Sequence, residues 1–152
     1  MEGSVVFSIG QASRLTRTVT SDVIDAFARV STDDNPLHLD DEYASTTRFG
    51  KRIAHGMIAA SFISAMMGTQ FPGPGAIYMS QSLKFTRPVF VGDVLDVVAT
   101  VTNFEADRRV LTLATIVTNQ AGKTVVTGEA VCLVADVVLA PAVTLDERNT
   151  YV

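Results

Sequence analysis

"IAHGMIAASFISAMM", Ile53 to Met67, is apolar around nearly its whole circumference, rich in alanine, and polar only at His55, Ser61 and Ser64. A surface helix carries one apolar stripe, so a helix apolar on almost every side is one enclosed by protein. Its length allows four turns or so. It is too short to span a bilayer, which takes about 20 apolar residues. Directly after it, "FPGPGA" (Phe71 to Ala76) stops the helix with two prolines and two glycines.

Downstream the period changes from helical to two. Ile77, Met79, Leu83 and Phe85 fall on one side of a strand and Ser80, Ser82, Lys84 and Thr86 on the other, and Leu95, Val97, Ala99 and Val101 repeat the pattern. Two more β-rich runs, Val110 to Thr118 and Thr124 to Val134, flank "NQAGK", a hairpin signal with Gly122. "VGD" (91 to 93) and "EADRR" (105 to 109) supply the other turns. Consecutive strands with short connections predict an antiparallel meander. One long buried helix and one such sheet have an economical joint solution, in which the sheet curls around the helix and buries one face on it. The expected class is therefore α+β, a hot-dog architecture, as one domain over residues 1–140 with a polar tail over 141–152.

Upstream, Thr20 or Ser21 offers an N-cap, and Val23, Phe27 and Val30 follow at helical spacing with Asp22 and Asp25 near the positive end of the helix dipole. Asn35 precedes Pro36 and is pushed out of α geometry, so the helix cannot continue far and "DDNPLHLD" (33 to 40) reads as a loop. A short helical turn is expected over Asp40 to Thr46.

That loop concentrates charge in a chain where only 18% of residues are charged and 47% are apolar. Asp33 and His38 are five apart, which on a helix would separate them by about 140°; in a turn made by Asn35 and Pro36 they can converge. A carboxylate beside an imidazole is an acid/base pair able to activate one water. The plain structural alternative has Asp33 and Asp34 closing a helix and His38 solvated, and an isolated D-x-N-P-x-H favours it. Gly56 sits where the enclosed helix begins, with unpartnered N–H groups and a positive dipole end suited to an oxygen gaining negative charge. It could equally be the residue that lets the helix start pack against a strand. His55 is expected to be a hydrogen-bonded structural residue, since its neighbour on a helix points about 100° away.

Other chemistries fit less well. Two histidines 17 residues apart without H-x-H or H-E-x-x-H spacing do not suggest a metal site. Cys132 lies inside a strand pattern and is expected to be buried, Ser61 and Ser64 lack a nucleophile elbow, and "PGPG" is a turn, not a phosphate cradle. A net charge of −4 without a basic stripe excludes nucleic acid as an expected partner. Neither a membrane span nor a secretion signal is legible, and with a single cysteine the expected setting is a reducing cytoplasm.

"DDNPLHLDDEYASTTRFGKRIAHGM", together with the later "FTRPVFVGD", resembles the MaoC-like hydratases, in particular R-specific enoyl-CoA hydratases and 3-hydroxyacyl-thioester dehydratases. The likeness runs from about Val6 to Val137, and the two blocks at this separation are far more specific than either alone. The resemblance implies that Asp33 and His38 hold the water added across the C2=C3 bond of a trans-2-enoyl thioester, giving an R-3-hydroxyacyl product. It further implies that Asn35 shapes the loop, that Gly56 donates its amide to the thioester carbonyl, and that Ser64 stands near substrate on the central helix. No cofactor is implied; the CoA or acyl-carrier-protein thioester is the substrate. A homodimer formed by extending the sheet is expected. Two alternatives stay open: a hot-dog acyl-thioesterase, and a non-catalytic acyl-binding subunit. Lys84, Arg87, Arg108 and Arg109 could meet a carrier's phosphates, although such charges are ordinarily solvated strand and turn residues.

Overall fold

The computed structural model describes residues 6–135. Strand β1 (Ala12–Thr18) is followed by helices α1 (Ser21–Ser31), α2 (Pro36–Leu39), α3 (Asp41–Ser45) and α4 (Gly56–Thr69), and then by strands β2 (Ile77–Phe85), β3 (Val94–Glu105), β4 (Val110–Thr118) and β5 (Thr124–Leu133). The five strands form one antiparallel sheet in the order β1-β3-β4-β5-β2. It is the expected α+β hot-dog. Ile58, Ile63, Met66 and Met67 of α4 are buried against Leu95, Val97 and Val101 of β3, Leu111 and Leu113 of β4, and Ala130 and Cys132 of β5. Each large side chain removed from water in this way contributes roughly 1.5–3 kcal/mol. No described helix is long and apolar enough to cross a membrane, and the 140/141 boundary and the polar tail lie outside the described residues.

Three expectations need correction, and one strand was unannounced. Strand β1 was not foreseen, because Leu15 is its one buried residue and a single apolar position carries no period. The meander holds for β3, β4 and β5, but β2 pairs with β5 on the far side of the sheet and not with β3. Alternation says which face of a strand is buried and nothing about which strand lies beside it. Helix α4 starts at Gly56 instead of Ile53, because the preceding residues are held extended: Ile53 forms a bridge with Phe90, and the Ala54 N–H donates to the Val89 carbonyl (2.7 Å). Nor is α4 enclosed on every side in the single chain, since Met57 is half exposed and Ser61, Ser64 and Ala65 are exposed.

A bulge in β2 between Tyr78 and Ser80 shifts the strand's parity. Ile77 and Met79 are exposed as a result, while Tyr78 and Leu83 pack on the core and Gln81 turns inward, donating through Nε2 to Thr115 Oγ1 (3.0 Å) and accepting the Tyr78 hydroxyl; Phe85 keeps the inward parity of Leu83 and is half exposed at the end of the strand. Burial pushes the Tyr78 phenol up to about 12, with a further contribution from neighbouring Cys132, whose own thiol burial raises to about 11. The "VGD" turn is tightened by the buried Asp93 carboxylate, which accepts the Phe90 N–H (2.9 Å) and the Gln120 side-chain amide (2.9 Å).

Two expected outcomes follow from this packing. A Cβ at Gly128 would lie 1.8 Å from the Ser82 carbonyl oxygen on the paired strand, so Gly128→Ala should cost about 3 kcal/mol or more of stability, read by urea unfolding. Cys132, buried and with its thiol held protonated, should resist iodoacetamide at pH 8 in the native protein and react fully once unfolded; rapid native labelling would contradict this packing.

Candidate active site

The charged octet is mostly a set of caps. Helix α1 ends at Ser31, and Thr32 turns the chain with a left-handed φ of 62°. Asp33 then closes a small turn, its Oδ1 accepting the Asn35 N–H (3.2 Å). Asn35 has the extended ψ of 124° that the following proline demands, and its side chain caps α2 by accepting the Leu37 N–H (3.0 Å). Pro36 occupies the first helical position, where the missing N–H costs nothing. Asp40 caps α3 by accepting the Tyr43 N–H (2.9 Å). Residues 36–39 are therefore a single helical turn, not the open loop expected, and that turn aims His38 inward.

His38 and His55 are both buried, and their rings stack with centroids 3.9 Å apart; Phe27 lies 4.9 Å from the His55 ring. Each imidazole faces a backbone carbonyl, which can only accept, so the facing ring nitrogen carries the hydrogen. His38 Nδ1–H donates to Ile53 (2.7 Å), which leaves Nε2 as a lone-pair nitrogen. His55 Nε2–H donates to the Asp33 carbonyl (2.9 Å), and its Nδ1 is buried without a partner among the described residues. Asp33 keeps its carboxylate half exposed, with Oδ2 3.9 Å from His55 Nε2. Arg52 braces the turn from outside, binding the Asp41 carboxylate (2.8 Å) and the His38 carbonyl (3.4 Å).

One donor atom from each of Asp33, His38 and His55 lies within 4.8 Å of the others. Two acceptors each about 2.8 Å from one water oxygen, at a tetrahedral angle, stand about 4.6 Å apart. The spacing thus suits a shared water. The same three side chains are near enough to one another to hold an ion, although one nitrogen of each ring is committed to a carbonyl.

A cavity of about 490 Å³ opens beside this cluster, lined among others by His38, Ile53, Gly56, Met57, Phe85 and Val126. His55 provides no side-chain cap for α4, so the first-turn N–H groups at Gly56 and Met57 have no acceptor within the helix. Both readings of Gly56 find support: it borders the cavity, and a Cβ there would come within 2.9 Å of the Phe85 ring. Ser64 lies two turns further along α4, exposed and outside that lining. His55 makes a structural hydrogen bond as expected and also joins the cluster, because it precedes α4 and so escapes helical geometry. Arg48, Phe49 and Phe85 also line the cavity and were not foreseen; an aromatic or basic residue in a turn or at a strand end gives no sequence signal of what it faces. Of the four cations considered for phosphate, Arg87 alone lines the cavity, while Arg108 pairs with Glu105 (3.0 Å) in its own turn.

Comparison with known proteins places this geometry in context. The profile of the MaoC like domain matches residues 7–125. An (R)-specific enoyl-CoA hydratase of Rhodospirillum rubrum is 48% identical over 125 residues, 82% of this chain and 86% of that protein. One of Aeromonas caviae, also named an (R)-specific enoyl-CoA hydratase, is 46% identical over 81% of this chain and 92% of its own length. Among solved structures, an (R)-hydratase from A. caviae involved in PHA biosynthesis superposes with a TM-score of 0.82 at 44% identity, covering 85% of this chain and 98% of that one.

The caps make a direct expectation. Asn35→Ala removes the α2 cap and should destabilise the protein by about 1 kcal/mol in urea unfolding, and it should lower any activity that uses His38 by more than the folded fraction accounts for.

Proposed function

The chain belongs to the MaoC-like family, and from that premise we propose that it hydrates trans-2-enoyl-CoA to (R)-3-hydroxyacyl-CoA, reversibly, with Asp33 and His38 acting on one water. The observation that carries the proposal is the approach of an Asp33 oxygen and a His38 ring nitrogen to within 4.8 Å, with His38 and the start of α4 both on the wall of one cavity. The names of the similar hydratases support the CoA thioester and the R configuration.

The chemistry follows from the protonation states. The Asp33 carboxylate and the His38 Nε2 lone pair each accept one O–H of the water, which orients its oxygen toward C3. As the C3–O bond forms, the C2=C3 π electrons move toward the thioester, and the carbonyl oxygen gains charge facing the Gly56 N–H at the positive end of α4. One member of the pair takes the proton released by the water and returns it to C2. The pair is regenerated, and water is added across one face. Asn35 maintains the turn, His55 holds the Asp33 backbone and the His38 ring, and Ser64 belongs to the more distant acyl path. No resident ion enters this scheme.

Assembly is part of the proposal. The open edge of β2 exposes Ile77 (59%) and Met79 (56%), and a second copy added along that edge would cover apolar surface and satisfy unpaired strand groups. We place this homodimer in the cytoplasm.

Crotonyl-CoA distinguishes the readings. Loss of enoyl absorbance without release of free thiol supports hydration, thiol release indicates a thioesterase, and binding with neither indicates an acyl-binding subunit. Asp33→Asn and His38→Ala should each lower kcat by about 10²–10⁴ with the fold retained by circular dichroism; full turnover in either variant would remove that residue from the mechanism. Dialysis against EDTA should leave the hydration rate unchanged, and a loss restored by a divalent ion would overturn the metal-free scheme.

A further inference from the structure

The cavity beside His38 and Gly56 also contains two guanidinium groups, those of Arg48 and Arg87, and no carboxylate lines it. The two come from separate parts of the chain, one from the turn beyond α3 and the other from the segment just after β2. Among the described residues neither is in an ion pair, whereas Arg14, Arg52 and Arg108 each bind a carboxylate. Arg48 rests against the Phe49 ring, its guanidinium carbon 4.9 Å from the centroid, which leaves its N–H edge available. Arg87 spends one Nη1 hydrogen on the Thr124 carbonyl (2.7 Å), which orients the group and leaves its other donors open. In a protein of net charge −4, a cavity whose only fixed full charges are two unpaired guanidiniums is complementary to an anion.

The reacting acyl group is uncharged, so the anion must belong to what carries it. We propose that Arg48 and Arg87 bind the phosphate of the thioester's carrier arm and thereby position the thioester between His38 and Gly56. This inference rests on the hydratase reading and adds to it the group that is recognised and the residues that recognise it. Coenzyme A and a phosphopantetheinylated carrier protein share this chemistry. Planar N–H forks suit phosphate oxygens, and the exposure of both side chains makes the interaction moderate and salt-sensitive.

The test compares crotonyl-CoA with crotonyl-pantetheine, which has the same thioester and no phosphate. In Arg48→Gln and in Arg87→Gln the ratio of kcat/KM for the CoA substrate over the pantetheine substrate should fall about fivefold, mainly through KM for the CoA substrate, and further in the double variant. Lys replacements should retain most of the ratio, and added salt should lower it in the wild type. An equal loss on both substrates would mean a structural role and overturn the proposal, as would an unchanged ratio. Crotonyl-loaded acyl carrier protein separates the sources: a parallel loss indicates the phosphate of the shared arm, and a loss confined to CoA indicates its nucleotide phosphates. Calorimetric titration with free CoA judges the site independently of catalysis. At least tenfold weaker binding by the double variant supports it even if the wild type hydrates nothing, and equal affinities overturn it even if hydration is confirmed.

Discussion

Two imidazole-to-carbonyl hydrogen bonds run crosswise between the segment after α1 and the segment before α4: His38 to Ile53 (2.7 Å) and His55 to Asp33 (2.9 Å). Each segment contributes one ring and one carbonyl, so neither can shift without breaking a hydrogen bond of a buried ring. Buried hydrogen bonds of this kind are costly to leave unmade. The same bonds assign the hydrogens on both rings, which leaves His38 Nε2 free for a substrate or a water. The stacked rings, 3.9 Å between centroids, exclude solvent between the two strands of chain.

The sheet supplies the other half of the constraint. The Val89 carbonyl accepts the Ala54 N–H, and Phe90 bridges Ile53, so the connection from β2 to β3 clamps the residues leading into α4. That clamp explains why the helix begins at Gly56 although the apolar run begins earlier. It also brings Phe85 to Gly56 and Arg87 to the cavity. A site made by four separated stretches of chain is therefore held by backbone hydrogen bonds, which do not depend on the identity of the substrate.

Much of this was legible before the fold was known, and particular residues show why. Leu95, Val97, Ala99 and Val101 alternate because they face one buried helix, and all four are buried as their period requires. Gly122 marked the β4–β5 hairpin and adopts a φ of 70° there. Asn35 and Pro36 signalled a chain reversal, and the reversal brings Asp33 and His38 together. By contrast, β1 had one buried residue to announce it, and the bulge at Met79 turned Ile77 and Met79 away from the face that alternation assigned them with Leu83. His55 was placed inside the helix by its apolar run, and it stacks on the His38 ring because the helix begins only after it.

Local chemistry is what a linear string of residues encodes, so the sequence by itself determined the hot-dog class, the buried helix, the chain reversal at Asn35 and Pro36 and the pairing of a carboxylate with an imidazole across it. Only the tertiary structure decided strand order, the start of α4, the hydrogens on the two imidazoles and the placing of Arg48 and Arg87 beside His38. Those features depend on which distant segments share hydrogen bonds and which side chains exclude water from one another. Neither quantity is carried by any stretch of chain taken alone.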